Sequence, residues 1–193
     1  MSTGFPVHDP DTAPEKSRDL LRQLVAQSGP NGFYAVAATS PETLGAYVAL
    51  HQAFSATSLS AEEKTVVWQT INVENECTFC VPAHTSMAKA MRVSDAVTDA
   101  LRNETPLPTA KLDALRAFTL LMVRNRGHAS DAEIEAFLEA GYTHQTMLEV
   151  VLGLAQKTIS NYVNHLARTP PDAQYDAYAW TKVAAGMGKD QND

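Results

Sequence analysis

The sequence predicts an all-α fold. Helix-capping signals recur along the chain, apolar residues between them repeat at three- and four-residue steps, and alternating Val/Ile/Thr runs joined by hairpin turns are scarce. Ser40-Pro41-Glu42 opens one helix with a capping hydroxyl, a proline in the first turn and an acid beside the positive dipole end. Ser60-Ala61-Glu62-Glu63 is a capping box that starts a second helix, running towards Val73. Val66-Val67-Trp68 is the run most like a strand, but it follows that box and continues at helical spacing. A helix over Lys111 to Arg126 would bury Leu112, Leu115, Phe118 and Met122 on one side. Ser130-Asp131-Ala132-Glu133 is another capping box, with Gly141 as the stop of its helix. The longest helix starts near Thr143 and ends at Thr169-Pro170-Pro171. Along it, Leu148, Val151, Leu152, Ala155, Ile159, Tyr162, Val163 and Leu166 form the apolar stripe expected to pack inward.

A chain of 193 residues with 45% hydrophobic and 19% charged residues has enough apolar material for one sizeable core. Residues 1–14 carry three prolines and read as a flexible N-terminal arm, 15–185 as a single helical domain and 186–193 as a disordered tail. A net charge of -7 argues against nucleic acid and anionic membrane as partners. No apolar run reaches the length of a membrane span, and the first residues lack the pattern of a signal peptide, so the cytoplasm is the expected location.

The two cysteines lie in Glu76-Cys77-Thr78-Phe79-Cys80-Val81-Pro82-Ala83-His84. So short a loop gains little from a bridge, so the pair reads as chemical rather than structural. At about 100° per residue, Cys77, Cys80 and His84 share one face of a helix that begins at or just after Cys77. Pro82 then falls in the first turn, where proline is tolerated. Helix N-terminal amides favour a thiolate, and His84 is placed either to accept the proton of Cys80 or to stabilise its anion as imidazolium. A second thiol three residues away can trap a sulfenic acid as a disulfide. Other readings stay open. A catalytic zinc would need His165 or a neighbouring subunit to complete its ligands, because CxxC plus one histidine supplies three. Alternatively, both cysteines pack as inert small hydrophobes. A thioredoxin-type site fits poorly, because no βαβ pattern surrounds the motif. Of these, thiol redox chemistry without a metal is the reading adopted.

The CxxCxxxH motif at a helix start, behind the capped helix from Leu59 to Val73, resembles the alkyl hydroperoxidase D-like family of the carboxymuconolactone decarboxylase superfamily. Ala140-Gly141-Tyr142-Thr143, Leu148-Glu149-Val150-Val151 and Asn161-Tyr162-Val163-Asn164-His165 resemble its peroxidase-related branch, and the likeness spans roughly Ser40 to Pro171. The resemblance implies a bundle of about seven to nine helices, assembled as a homotrimer or homohexamer with the thiols near a subunit contact. It implies reduction of a peroxide substrate, with Cys80 as the attacking thiol, Cys77 as its disulfide partner and His84 in the proton relay. It further implies no bound cofactor, with electrons from an external dithiol (lipoyl or similar) carried by an adaptor, or work beside a peroxiredoxin partner. Two alternatives accompany it: a decarboxylase or lactone-opening enzyme using His84 or His165 on a small organic acid, and a redox partner or sensor with little turnover.

The chain departs from the family pattern at Thr65, where the resemblance places a glutamate twelve residues before the first cysteine. A hydroxyl cannot serve as a carboxylate base near neutral pH, so the relay must be rebuilt, with Glu62 or Gln69 within one turn of the same position. Thr65 and His165 are therefore taken as supporting residues behind the thiols, although His165 is equally suited to capping the carbonyls that end its helix. Trp68, Tyr142 and Tyr162 read as core or interface, and His8, His51, His128 and His144 as surface residues.

Overall fold

The computed structural model describes residues 4–182; residues 1–3 of the expected arm and the whole expected tail, 186–193, lie outside them. Among the described residues there are nine α-helices and no strand. They are α1 (Glu15–Ser28), α2 (Gly32–Ala37), α3 (Pro41–Ser55), α4 (Ala61–Glu74), α5 (Cys80–Ala90), α6 (Asp95–Asn103), α7 (Ala110–Arg124), α8 (Asp131–Glu139) and α9 (His144–Ala167), followed by a 3₁₀ turn, Ala173–Tyr178. None of these helices is long and apolar enough to cross a membrane.

The caps do what their chemistry dictates. Ser40, Ser60, Ser130 and Thr143 each accept a backbone N–H of the helix they open, and the Ser60 and Ser130 boxes are closed by Glu63 and Glu133. Every residue of α4 from Thr65 to Val73 is buried, which makes α4 the axis of the molecule. It packs against α5, α6, α7 and α9, while α3 lies along α9. One apolar cluster fills the α4–α6–α7–α9 side, with Phe118, Phe137 and Tyr142 in a stack of rings 4.2 and 4.6 Å apart. A second joins α1–α3 to the start of α5 and includes Cys77, Phe79 and Cys80.

The long helix is the element whose facing differs from expectation. Much of its apolar stripe points outward: Leu148 is 71% exposed, Tyr162 55% and Leu166 65%, while Leu152, Ile159 and Val163 pack against the cores. The inward face carries Gln156, Lys157, Ser160, Asn161 and Asn164, all buried. The inversion holds because polar side chains of α3, α4 and α5 hydrogen-bond that inward face, which would otherwise be costly to bury. His51 is half-buried rather than a surface residue: its ring stacks between Tyr47 and Trp68, and its Nδ1 lies 3.1 Å from Gln156 Nε2.

Gly153 is where α9 comes closest to its neighbours. A Cβ there would sit 2.7 Å from Phe54 Cε2 and 2.9 Å from Val67 Cγ1, both on fully buried side chains. Alanine would gain about 1 kcal/mol in helix propensity, but overpacking a closed core costs about 1–3 kcal/mol. Gly153→Ala should therefore lower the thermal midpoint; an unchanged or raised midpoint would contradict this packing.

Candidate active site

The site is built where α4 ends and α5 begins. At the end of α4, Glu76 takes a left-handed conformation (φ 54°), so that Cys77 N–H bonds Asn72 C=O and Glu76 N–H bonds Val73 C=O. This is a Schellman closure with glutamate where glycine is usual. The turn hands Cys77 directly to the next helix: its carbonyl accepts Val81 N–H at 3.0 Å, and its sulfur accepts Cys80 N–H at 3.3 Å. Cys77 thus acts as the cap of α5. Cys80 is the first residue of α5, and Pro82 falls within its first turn. Both cysteines are free thiols and buried.

Around the Cys80 sulfur stand groups from α9. Asn164 Nδ2 donates to Cys80 Sγ at 3.4 Å, and Ser160 Oγ lies 4.0 Å from it. Lys157, only 1% exposed, places Nζ 2.9 Å from His84 Nε2. Asn161 donates to Asn72 Oδ1, and Asn72 donates to Gln69 Oε1, so α4 and α9 are tied by a buried amide chain behind the thiols. The His84 ring lies against Trp68, whose indole N–H donates to Gln156; Gln156 in turn donates to the Tyr47 hydroxyl.

The charges follow from this packing. Burial, then the Lys157 charge, then His51 hold His84 far below the ordinary imidazole range, so His84 is neutral. It accepts from the Lys157 ammonium at Nε2, which leaves the proton on Nδ1, a buried atom without a hydrogen-bond partner among the described residues. The imidazolium considered in reading the sequence is therefore absent, and the cation beside the thiols is Lys157. Burial and Lys157 depress His51 as well, while burial keeps the Tyr47 phenol protonated. Among the described residues no carboxylate ion-pairs with Lys157. Cys80 shares the pocket with Lys157, whose charge favours ionisation of its thiol. Burial alone would push the Cys80 thiol up, but the hydrogen bond from Cys77, the Lys157 charge and the amides of Asn164 and Asn161 together bring it well below the ordinary thiol value. The same Cys77–Cys80 hydrogen bond, with burial, pushes Cys77 up. The two sulfurs are thereby pushed in opposite directions, Cys80 towards the thiolate and Cys77 towards the thiol.

The sequence-predicted residues sort as follows. Cys77, Cys80 and His84 come together, and Cys80 and His84 line a pocket of about 130 Å³ with Phe33, Tyr47, Phe79 and Lys157. Thr65 is buried but spends its hydroxyl on Ala61 C=O one turn back, and does not line the pocket. Its neighbour Gln69 braces α5 through Val81 C=O and the Thr85 hydroxyl. His165 is exposed and lines a different cleft, beside Cys77. Among the described residues no three His, Cys, Asp or Glu side chains converge as a metal site. Lys157 escaped the sequence reading, although a signal existed: it is the one charged residue between Val150 and Asn164, with Ser160, Asn161 and Asn164 at three, four and seven residues beyond.

No protein-family model matches the chain, and no curated protein matches it. Solved structures do. One is described as an alkylhydroperoxidase AhpD core, an uncharacterized peroxidase-related protein from Ralstonia eutropha JMP134; it superposes with a TM-score of 0.78 over 89% of this chain and 93% of its own, at 20% identity. Another, an uncharacterized peroxidase-related protein from Silicibacter sp. TM1040, gives 0.73 over 89% of this chain and 92% of its own, also at 20% identity. The chain therefore has the fold of an AhpD core.

If Cys80 is the counter-ion of Lys157, the two must be energetically coupled. A double-mutant cycle of Lys157→Met and Cys80→Ala in the reduced protein, followed by urea unfolding at neutral pH, should give a coupling of about 1–3 kcal/mol. Additivity within about 0.5 kcal/mol would show that no charge pair exists.

Proposed function

We propose that this chain is a thiol-dependent peroxidase of the alkyl hydroperoxide reductase type, in which Cys80 attacks the peroxide and Cys77 closes the disulfide. The observation that carries the reading is the placement of two adjacent thiols at the start of α5, with the Asn164 amide donating to Cys80 and the buried Lys157 lining the same pocket, an arrangement that favours Cys80 as the thiolate. The AhpD-core fold and its peroxidase-related bearers support it.

The Cys80 thiolate attacks the distal oxygen of the hydroperoxide. The O–O bond breaks, its electron pair leaves with the alkoxide, and Cys80 becomes a sulfenic acid. The alkoxide needs a proton where water is scarce. Lys157 and the phenols of Tyr34, Tyr47 and Tyr175 line the pocket beside Cys80, and Lys157, the cation among them, supplies it. His84, hydrogen-bonded to Lys157 at Nε2, anchors that relay, and Lys157 regains its proton from water once the product has left. Thr65 has no part in that relay, which runs through α9 instead of α4. The Cys77 thiol then attacks the Cys80 sulfur, its proton leaves with the hydroxyl as water, and the disulfide forms. An external dithiol restores both thiols. At about 130 Å³ the pocket falls below the roughly 300 Å³ lower bound of drug-sized ligand sites, and its walls are Phe33, Tyr34, Tyr47, Phe79 and Met87. It suits hydrogen peroxide or the hydroperoxy end of a small organic substrate. The outward apolar stripe of α9 supports the homotrimer or homohexamer implied by the family resemblance, since a contiguous patch of this kind favours burial against another subunit.

Cys80→Ser should abolish consumption of cumene hydroperoxide, whereas Cys77→Ser should retain it when a monothiol is added and should accumulate a sulfenic acid visible by mass spectrometry. Wild-type rates in both single variants would remove the peroxidase reading.

A further inference from the structure

The residues around the Cys80 pocket divide by exposure. Phe33, Tyr47, Cys80, His84 and Lys157 are buried and form its floor, whereas Ser28, Asn31, Tyr34, Ala83, Met87 and Tyr175 keep some exposure and mark its mouth. The first five mouth residues come from α1, α2 with its cap, and α5, all packed into the body of the molecule. Tyr175 comes from the 3₁₀ turn after α9, in which no residue is buried.

That turn is the middle of a strap fastened at both ends. At the near end, the Asp172 carboxylate accepts Gly32 N–H at 3.1 Å. A Cβ on Gly32 would lie 3.0 Å from Thr169 Cγ2 and 3.1 Å from Asp172 Oδ1, so the missing side chain is what lets this anchor close. At the far end, Arg102 donates to the carbonyls of Tyr178 and Ala179, both at 3.0 Å, and the Trp180 indole donates to Arg102 C=O at 2.9 Å. Between the anchors the hold is weaker. The Tyr175 ring meets Phe79 edge-on with centroids 6.2 Å apart, and its hydroxyl accepts Asn31 Nδ2 at 3.5 Å, the outer limit of a hydrogen bond. Gln174 adds one exposed bond to Pro30 C=O. A segment with so few buried contacts opens at lower cost than the helices around it.

We propose that residues 172–180 form a size gate over Cys80, with Tyr175 as the residue that sets the limit. With Tyr175 seated, hydrogen peroxide reaches the thiol; a hydroperoxide bearing a branched or aromatic substituent enters only when the strap lifts. Its rate is then reduced by the fraction of time the strap spends open, while that of the small substrate is not. The choice of hydroperoxides as the molecules sorted rests on the peroxidase reading, but the barrier over Cys80 does not.

The test reads access and turnover separately. In reduced Cys77→Ser protein, Cys80 labelling by N-ethylmaleimide is compared with labelling by the larger, also uncharged N-(1-pyrenyl)maleimide. In protein with both cysteines, kcat/KM for cumene hydroperoxide is compared with that for hydrogen peroxide. Tyr175→Ala should raise both large-to-small ratios about tenfold, because even a single methylene in a pocket wall shifts discrimination that far. Gly32→Ala changes no side chain that lines the pocket and should raise both ratios too, by pushing the Asp172 anchor away. Tyr175→Phe keeps the ring and should match the wild-type ratios. A labelling ratio unchanged in Tyr175→Ala would overturn the proposal, because the ring then bars nothing. A rise in Tyr175→Ala with Gly32→Ala at the wild-type ratio would also overturn it, because the strap then does not lift. The expected labelling shifts in protein that consumes neither peroxide would support the gate and overturn the peroxidase reading alone.

Discussion

A single ammonium group buried between three helices governs this molecule. Lys157 has neither a carboxylate partner among the described residues nor contact with bulk water, and a lone charge in such a place would cost several kcal/mol. Its neighbours answer that cost in two ways. Burial and the charge itself keep His84 and His51 neutral, so that His84 can accept its hydrogen bond. At Cys80 the same charge favours the thiolate, against the burial that opposes it. The charge thus creates the chemistry, because a thiol in an apolar core would otherwise be protonated and inert.

That requirement also explains why α9 is folded with its polar side inward. Asn161 and Asn164 hydrogen-bond into the α4–α5 junction, and Gln156 bridges Trp68 to Tyr47. Each bond satisfies a buried polar atom, and the set fixes how far α9 can slide along α4. Gly153 permits that approach by leaving room for Phe54 and Val67. Leu148, Val151, Tyr162 and Leu166 are left on the outside, while Val150 is buried and Met147, Leu152, Leu154, Ile159 and Val163 pack against the two cores.

Much of this was legible from residues alone. Capping hydroxyls at Ser40, Ser60, Ser130 and Thr143 marked four helix starts, and the CxxCxxxH spacing marked the start of α5, because both signals are local. Helix ends were harder. α4, α5, α6, α7 and α9 close beside left-handed residues Glu76, Arg92, Glu104, Arg126 and Arg168, none of them the glycine that normally advertises such a stop. The facing of α9 was misread because its apolar stripe has ordinary core periodicity, and periodicity identifies a face without saying what covers it. His51 and Lys157 were missed for a related reason: what buries each of them is supplied by residues about a hundred and about seventy positions away, through Gln156 and His84. Thr65 was recognised as a departure, but sequence could not show that a buried lysine on another helix lines the same pocket as Cys80.

The account stands or falls on the ionisation of Cys80 in the folded, reduced protein. Ultraviolet thiolate absorbance titrated against pH measures it directly. One thiolate should be present well below the ordinary thiol pKa of about 8.5, should vanish in Cys80→Ser, and should persist in Cys77→Ser, whose hydroxyl can still donate to it. If no thiolate absorbs until the pH passes about 8.5, the buried ammonium has no sulfur anion beside it and the mechanism built on that pair is wrong.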